Sequence, residues 1–83
     1  MDIKHLVKMA NQIGDFFAAY PNRDETVQSI AVHLKNSWDP RMRRQIIDYV
    51  ERSGGADLKP IVRDAVRALE MPQQIAAEVP GDD

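Results

Sequence analysis

The chain has no cysteine. That excludes a disulfide, a cysteine-ligated zinc or iron–sulfur cluster, and thiol catalysis. Its only histidines are His5 and His33, and its serines Ser29, Ser37 and Ser53 occupy helix-face or helix-end settings. A hydrolase needs a nucleophile and a base in one cleft, so this inventory is poor, and both histidines read as solvent-facing or interface side chains. A two-histidine metal site would need carboxylate ligands at a spacing the sequence does not offer, so no metal site is expected. Glycine is equally scarce, at four residues, and Gly54-Gly55 lacks the strand, the later glycines and the lysine of a phosphate-cradling loop. The pair reads instead as a helix end.

No run approaches the roughly 18 to 20 apolar residues of a membrane-spanning helix. The start, Met1 to Lys8, has an acid, two lysines and a histidine where a signal peptide needs an apolar core, so a cytoplasmic protein is expected. An excess of positive charge is also missing. Eleven Lys and Arg against thirteen Asp and Glu give a formal charge of -2, which argues against a chain whose main task is to coat nucleic acid.

What remains is 83 residues, 43% hydrophobic and 29% charged, the composition of one soluble globular domain. At this size only about 60% of the unfolded chain's surface can be buried, so the core is thin and must be steadied by packing or by a partner. Low to moderate stability is expected of the isolated chain.

The spacing predicts helices throughout. Asp2 is a good N-cap, and Leu6, Met9, Ile13, Phe17 and Tyr20 follow three or four residues apart as one stripe ended by Pro21 and Asn22. Phe16 lies about 100° round the helix from Phe17, and Ile3 extends the apolar arc further than a single packing seam needs. One of the two phenylalanines, Phe16 first, is therefore expected to contact another chain, either a larger subunit or a second copy. Asn22 with Glu25 forms a capping-box variant opening a helix from about Arg23 to Asn36, with Val27, Ile30, Ala31 and Leu34 at helical spacing. Asp39-Pro40 starts a third helix whose inner stripe is Met42, Ile46, Tyr49 and Val50, with Ile47 beside it, and Ser53-Gly54-Gly55 closes it. Pro60 opens a fourth, carrying Ile61, Val62, Ala65, Val66 and Leu69. No alternating β-branched run lies between turn signals. The expected architecture is all-α: a bundle of three to four helices over residues 1–71, followed by a loose acidic tail over 72–83.

Two features depart from an ordinary helical domain. Trp38-Asp39-Pro40-Arg41-Met42-Arg43-Arg44 puts three arginines in the first turns of a helix, where the dipole disfavours cations by a few tenths of a kcal/mol each. Arginine's planar fork suits carboxylate or phosphate, and tryptophan is a frequent interface anchor, so Trp38, Arg41, Arg43 and Arg44 are candidate partner-binding residues. The competing explanation is a solvated face with Trp38 capping the core. Arg41 and Arg44 share a face, while Arg43 points elsewhere. The second feature is a small-residue strip of Asn11, Gly14 and Ala18, in which Gly14 costs up to about 1 kcal/mol against alanine. Close approach of another backbone would justify it, from a partner that Asn11 and Gln12 reach or from a helix of the same domain.

Three blocks carry a family resemblance: Leu6-Val7-Lys8-Met9-Ala10-Asn11-Gln12-Ile13-Gly14-Asp15-Phe16-Phe17, His33-Leu34 leading to Trp38-Asp39-Pro40-Arg41-Met42-Arg43, and Gly54-Gly55 leading to Leu58-Lys59-Pro60-Ile61-Val62-Arg63-Asp64-Ala65. Together they resemble the delta-subunit family of cytoplasmic NAD-dependent formate dehydrogenases over about Leu6 to Leu69. The first two blocks are the specific ones. Ser37 stands where the family commonly has an aromatic residue, and Ala56-Asp57 where it has a more glycine-rich loop. The resemblance implies a non-catalytic accessory subunit that holds no cofactor itself. Its partner would be the catalytic (alpha) subunit, which carries molybdenum or tungsten bis-pterin guanine dinucleotide and iron–sulfur clusters, and neighbouring subunits pass electrons to FMN and NAD. Support of assembly, cofactor loading or stability is the implied role. The alternative from the residues alone is a small helical nucleic-acid-binding or regulatory module with the third helix as reader, weakened by the acidic total and by Asp48 and Glu51 within the basic run.

Overall fold

A computed structural model describes residues 2–69. Four helices follow in order: α1 (Ile3–Phe17), α2 (Arg23–Ser37), α3 (Pro40–Ser53) and α4 (Pro60–Ala68), with no strand among the described residues. The expected tail lies outside the described residues.

Side chains read from the sequence as caps make the cap contacts. Asp2 accepts from the Lys4 amide at 3.0 Å, Asn22 from the Glu25 amide at 3.1 Å, and Asp39 from the Met42 amide at 3.0 Å, each satisfying a donor that the helix itself leaves open. α3 ends at Gly54, whose φ of 84° lies in the left-handed region, and the Gly54 amide returns to the Val50 carbonyl at 2.8 Å.

Leu6, Ile30, Leu34, Ile46, Val62 and Val66 form the fully buried centre, drawing on all four helices. α1 and α4 each pack on the other three, whereas α2 and α3, joined through Trp38, have no comparable face in common. Trp38 is only 4% exposed and fills the fork between them.

The first helix is rotated relative to the stripe its large residues suggest. Its buried positions are Leu6, Val7, Ala10 and Gly14, while Met9, Ile13 and Phe17 sit at the core's edge and Tyr20 lies outside, 44% exposed. The cause is α4: a Cβ at Gly14 would overlap the Val62 Cγ2 methyl, so the smallest residues of α1 face the closest neighbour and the largest are turned aside. The small strip thus serves a helix of the same chain, apart from Ala18, which is exposed. On α3, similarly, Ile46, Ile47 and Val50 are buried, with Met42 and Tyr49 flanking them half-buried.

Candidate functional site

The large side chains that α1 turns aside are only partly covered within the chain. They border a groove of about 520 Å³. Met9, Ile13, Phe16 and Phe17 of α1 form one wall, with Gln12 on the rim. His33 and Ser37 close it from the end of α2, Trp38 lines its floor, and Met42 stands at the start of α3. Phe16 is 77% exposed and holds its ring edge-on to Phe17 at 5.0 Å between centroids. Phe17 in turn stacks edge-on to Tyr20 and His33, both at 5.8 Å.

A second depression of about 390 Å³ continues along α2, past Gln28, Ser29, Val32 and Asn36, sharing Phe17 and His33 with the first. Val32, 53% exposed, is its one aliphatic wall residue. The wide apolar arc of α1 signalled this surface. Val32 carried no such signal, since a single exposed valine is unremarkable in a helix.

The arginine-rich start of α3 divides. Arg43 turns back toward α2, donating from Nη1 to the Lys35 carbonyl at 3.0 Å and to the Trp38 carbonyl, so it satisfies acceptors at the α2 C-terminus that lack a helical partner. Trp38 is buried. These two, expected at a recognition surface, make their contacts within the chain at the α2–α3 junction. Arg41 is exposed and Arg44 half-buried.

Asn11 is likewise committed within the chain. Its Nδ2 donates to the Asp57 carbonyl at 3.1 Å and its Oδ1 accepts from the Lys59 amide at 3.0 Å, pinning the α3–α4 loop to α1 beside the Lys59–Asp15 ion pair. The main chain that Asn11 reaches here is its own, in the loop before α4. Gln12, one position on, is exposed at the groove.

In the same loop, Tyr49 donates to Asp57 Oδ2 at 3.0 Å. The carboxylate that accepts this bond, with some desolvation, raises the phenol above its ordinary value of 10.0. Elsewhere Ser37 Oγ and His33 Nε2 lie 3.5 Å apart, the outer limit of a hydrogen bond. No group of three or more His, Asp and Glu suited to a metal ion occurs among the described residues.

A family model described as NADH-dependent formate dehydrogenase delta subunit (FdsD) matches residues 5–66, from the first turns of α1 to Val66 of α4. The chain belongs to this family. No curated protein and no solved structure matches it significantly. The span matched by the delta-subunit family includes every residue that lines the groove and the whole arginine-rich segment. No described helix is long and apolar enough to cross a membrane.

Proposed function

We propose that this chain is a non-catalytic accessory subunit of an NADH-dependent formate dehydrogenase, binding the catalytic molybdenum- or tungsten-containing subunit and supporting its assembly, cofactor loading or stability. The observation that carries this reading is the apolar groove, with Phe16 exposed at its lip, in a delta-subunit chain. Large exposed aromatic and methionine side chains around a concave surface are what an interface core buries. Formate oxidation, the bis-pterin cofactor, iron–sulfur clusters, FMN and NAD belong in this reading to the neighbouring subunits, and the cytoplasm to the complex as a whole.

Phe16 and Gln12 supply the contact at the groove, and Arg41 with Arg44 the polar rim that meets carboxylates of the partner. Arg43, Trp38 and Asn11 act through the fold. The test is to express the catalytic subunit with and without this chain. Co-purification, together with a lower molybdenum or tungsten and pterin content when the chain is omitted, supports the role. Failure to co-purify, with unchanged cofactor content, overturns it.

A further inference from the structure

His33 is shared by the groove and by the depression that continues it, stands half-buried, and holds its ring beside Phe17. Among the described residues no Asp, Glu, Lys or Arg lines either depression. Histidine is the side-chain type that ordinarily changes charge roughly between pH 5 and 8. The lining of this surface therefore gains or loses its charge near neutral pH through one imidazole.

The groups around that ring offer an imidazolium no carboxylate. α1 contributes only apolar side chains and Gln12 to the lining, and the α2–α3 junction Trp38 and Met42, none of which titrates. One turn away along α2 are Ser29, Ile30, Asn36 and Ser37, all uncharged, and the ring's polar contact among the described residues is Nε2 with Ser37 Oγ at 3.5 Å. Lys35 is two positions on, about 200° round the helix. The Asp39 carboxylate accepts the Met42 amide in the α3 cap. Tyr20 reaches Phe17, and a phenol ordinarily stays neutral where histidine titrates. α4 lines neither depression, and its ion pair to α2, Asp64 with Arg23, is at the first residue of that helix.

In the free chain water reaches the half-buried ring and solvates either form. A surface that covers the groove removes this water, and an imidazolium left there without a carboxylate is costly, so the covered state favours the neutral ring. We propose that docking on the catalytic subunit expels a proton from His33 to bulk water, so that the two subunits associate more weakly as the pH falls below neutral. This rests on the accessory-subunit reading and gives its contact a pH dependence. An acidic side chain of the catalytic subunit set against the ring would give the opposite sign, because it would pair the imidazolium.

The experiment titrates purified catalytic subunit with the full chain, wild type and His33→Gln, and reads the ratio of the two affinities as a function of pH. His5 and the catalytic subunit's own groups are the same in both titrations and cancel from the ratio. For an imidazole of ordinary basicity that the complex keeps neutral, wild type should lose about fourfold relative to the variant between about pH 8 and about pH 6. Calorimetry of the wild-type association in two buffers of different ionisation enthalpy counts protons directly and should find net release at about pH 6.5, which tests the proposal even if His33→Gln fails to fold. A ratio that is constant with pH, or that moves in favour of wild type as the pH falls, overturns the proposal, as does net proton uptake or no exchange in the calorimeter. In each of those cases a wild-type chain that binds leaves the accessory role standing, whereas a wild-type chain that binds at no pH removes both.

Discussion

Gly14 of α1 and Val62 of α4 face each other so closely that no side chain fits between them, and this single contact sets the roll of the first helix. Gly14→Ala would raise intrinsic helix propensity by up to about 1 kcal/mol. We expect overpacking against Val62 to outweigh it, with a net loss of about 1–2 kcal/mol in urea unfolding. Combining it with Val62→Ala should give a double-mutant coupling, the smaller partner relieving part of the clash. A stabilised Gly14→Ala variant would contradict the close packing.

Asn11→Ala removes both hydrogen bonds that pin the α3–α4 loop and should cost about 1–2 kcal/mol. Hydrogen exchange of the Lys59 amide checks this locally: it should quicken in the variant while the central amides of α2 exchange at a rate set by global stability.

Arg43 and Arg41 are expected to separate cleanly. Arg43→Ala leaves the Lys35 and Trp38 carbonyls without their donor and should lower stability by about 1–2 kcal/mol. Arg41→Ala should leave unfolding nearly unchanged and weaken association with the catalytic subunit. Reversed roles, with Arg41 needed for folding and Arg43 for binding, would contradict the division described at the α3 start.

The raised Tyr49 phenol gives a pH signature. A group whose folded pKa lies above its unfolded value contributes stability that is fully present below about pH 10 and is lost as pH rises through the folded value. Ultraviolet titration of the folded chain should therefore show a late tyrosinate component above pH 10 that Tyr49→Phe removes. Asp57→Asn, which takes away the carboxylate, should bring that component to lower pH.

Much of the fold is legible in the sequence because its signals are local. Asp2, Asn22, Asp39-Pro40 and Gly54 each act within a turn of where they stand, and each marks the helix boundary it suggests. What the spacing could not decide is which side of α1 faces inward. A helix wheel weights Met9, Ile13 and Phe17 by size, but the nearest neighbour is set by where small residues allow an approach, and that depends on α4, some fifty positions away. The same limit applies to Arg43 and Trp38. Their residue types suit an interface, and only the geometry of the α2–α3 fork assigns them to the fold. The exposure of Phe16 was legible because adjacent residues on a helix lie about 100° apart, so that of the two phenylalanines only Phe17 reaches the core's edge.

The central claim is that the exposed groove, and not the arginines alone, holds this chain to the dehydrogenase. Phe16→Asp tests it most directly, since the side chain is 77% exposed and its loss should leave the helical spectrum and the unfolding midpoint almost unchanged. Titrated against purified catalytic subunit, the variant should bind about tenfold more weakly than wild type, the scale of a lost interface anchor. Equal affinity of Phe16→Asp and wild type would contradict the account.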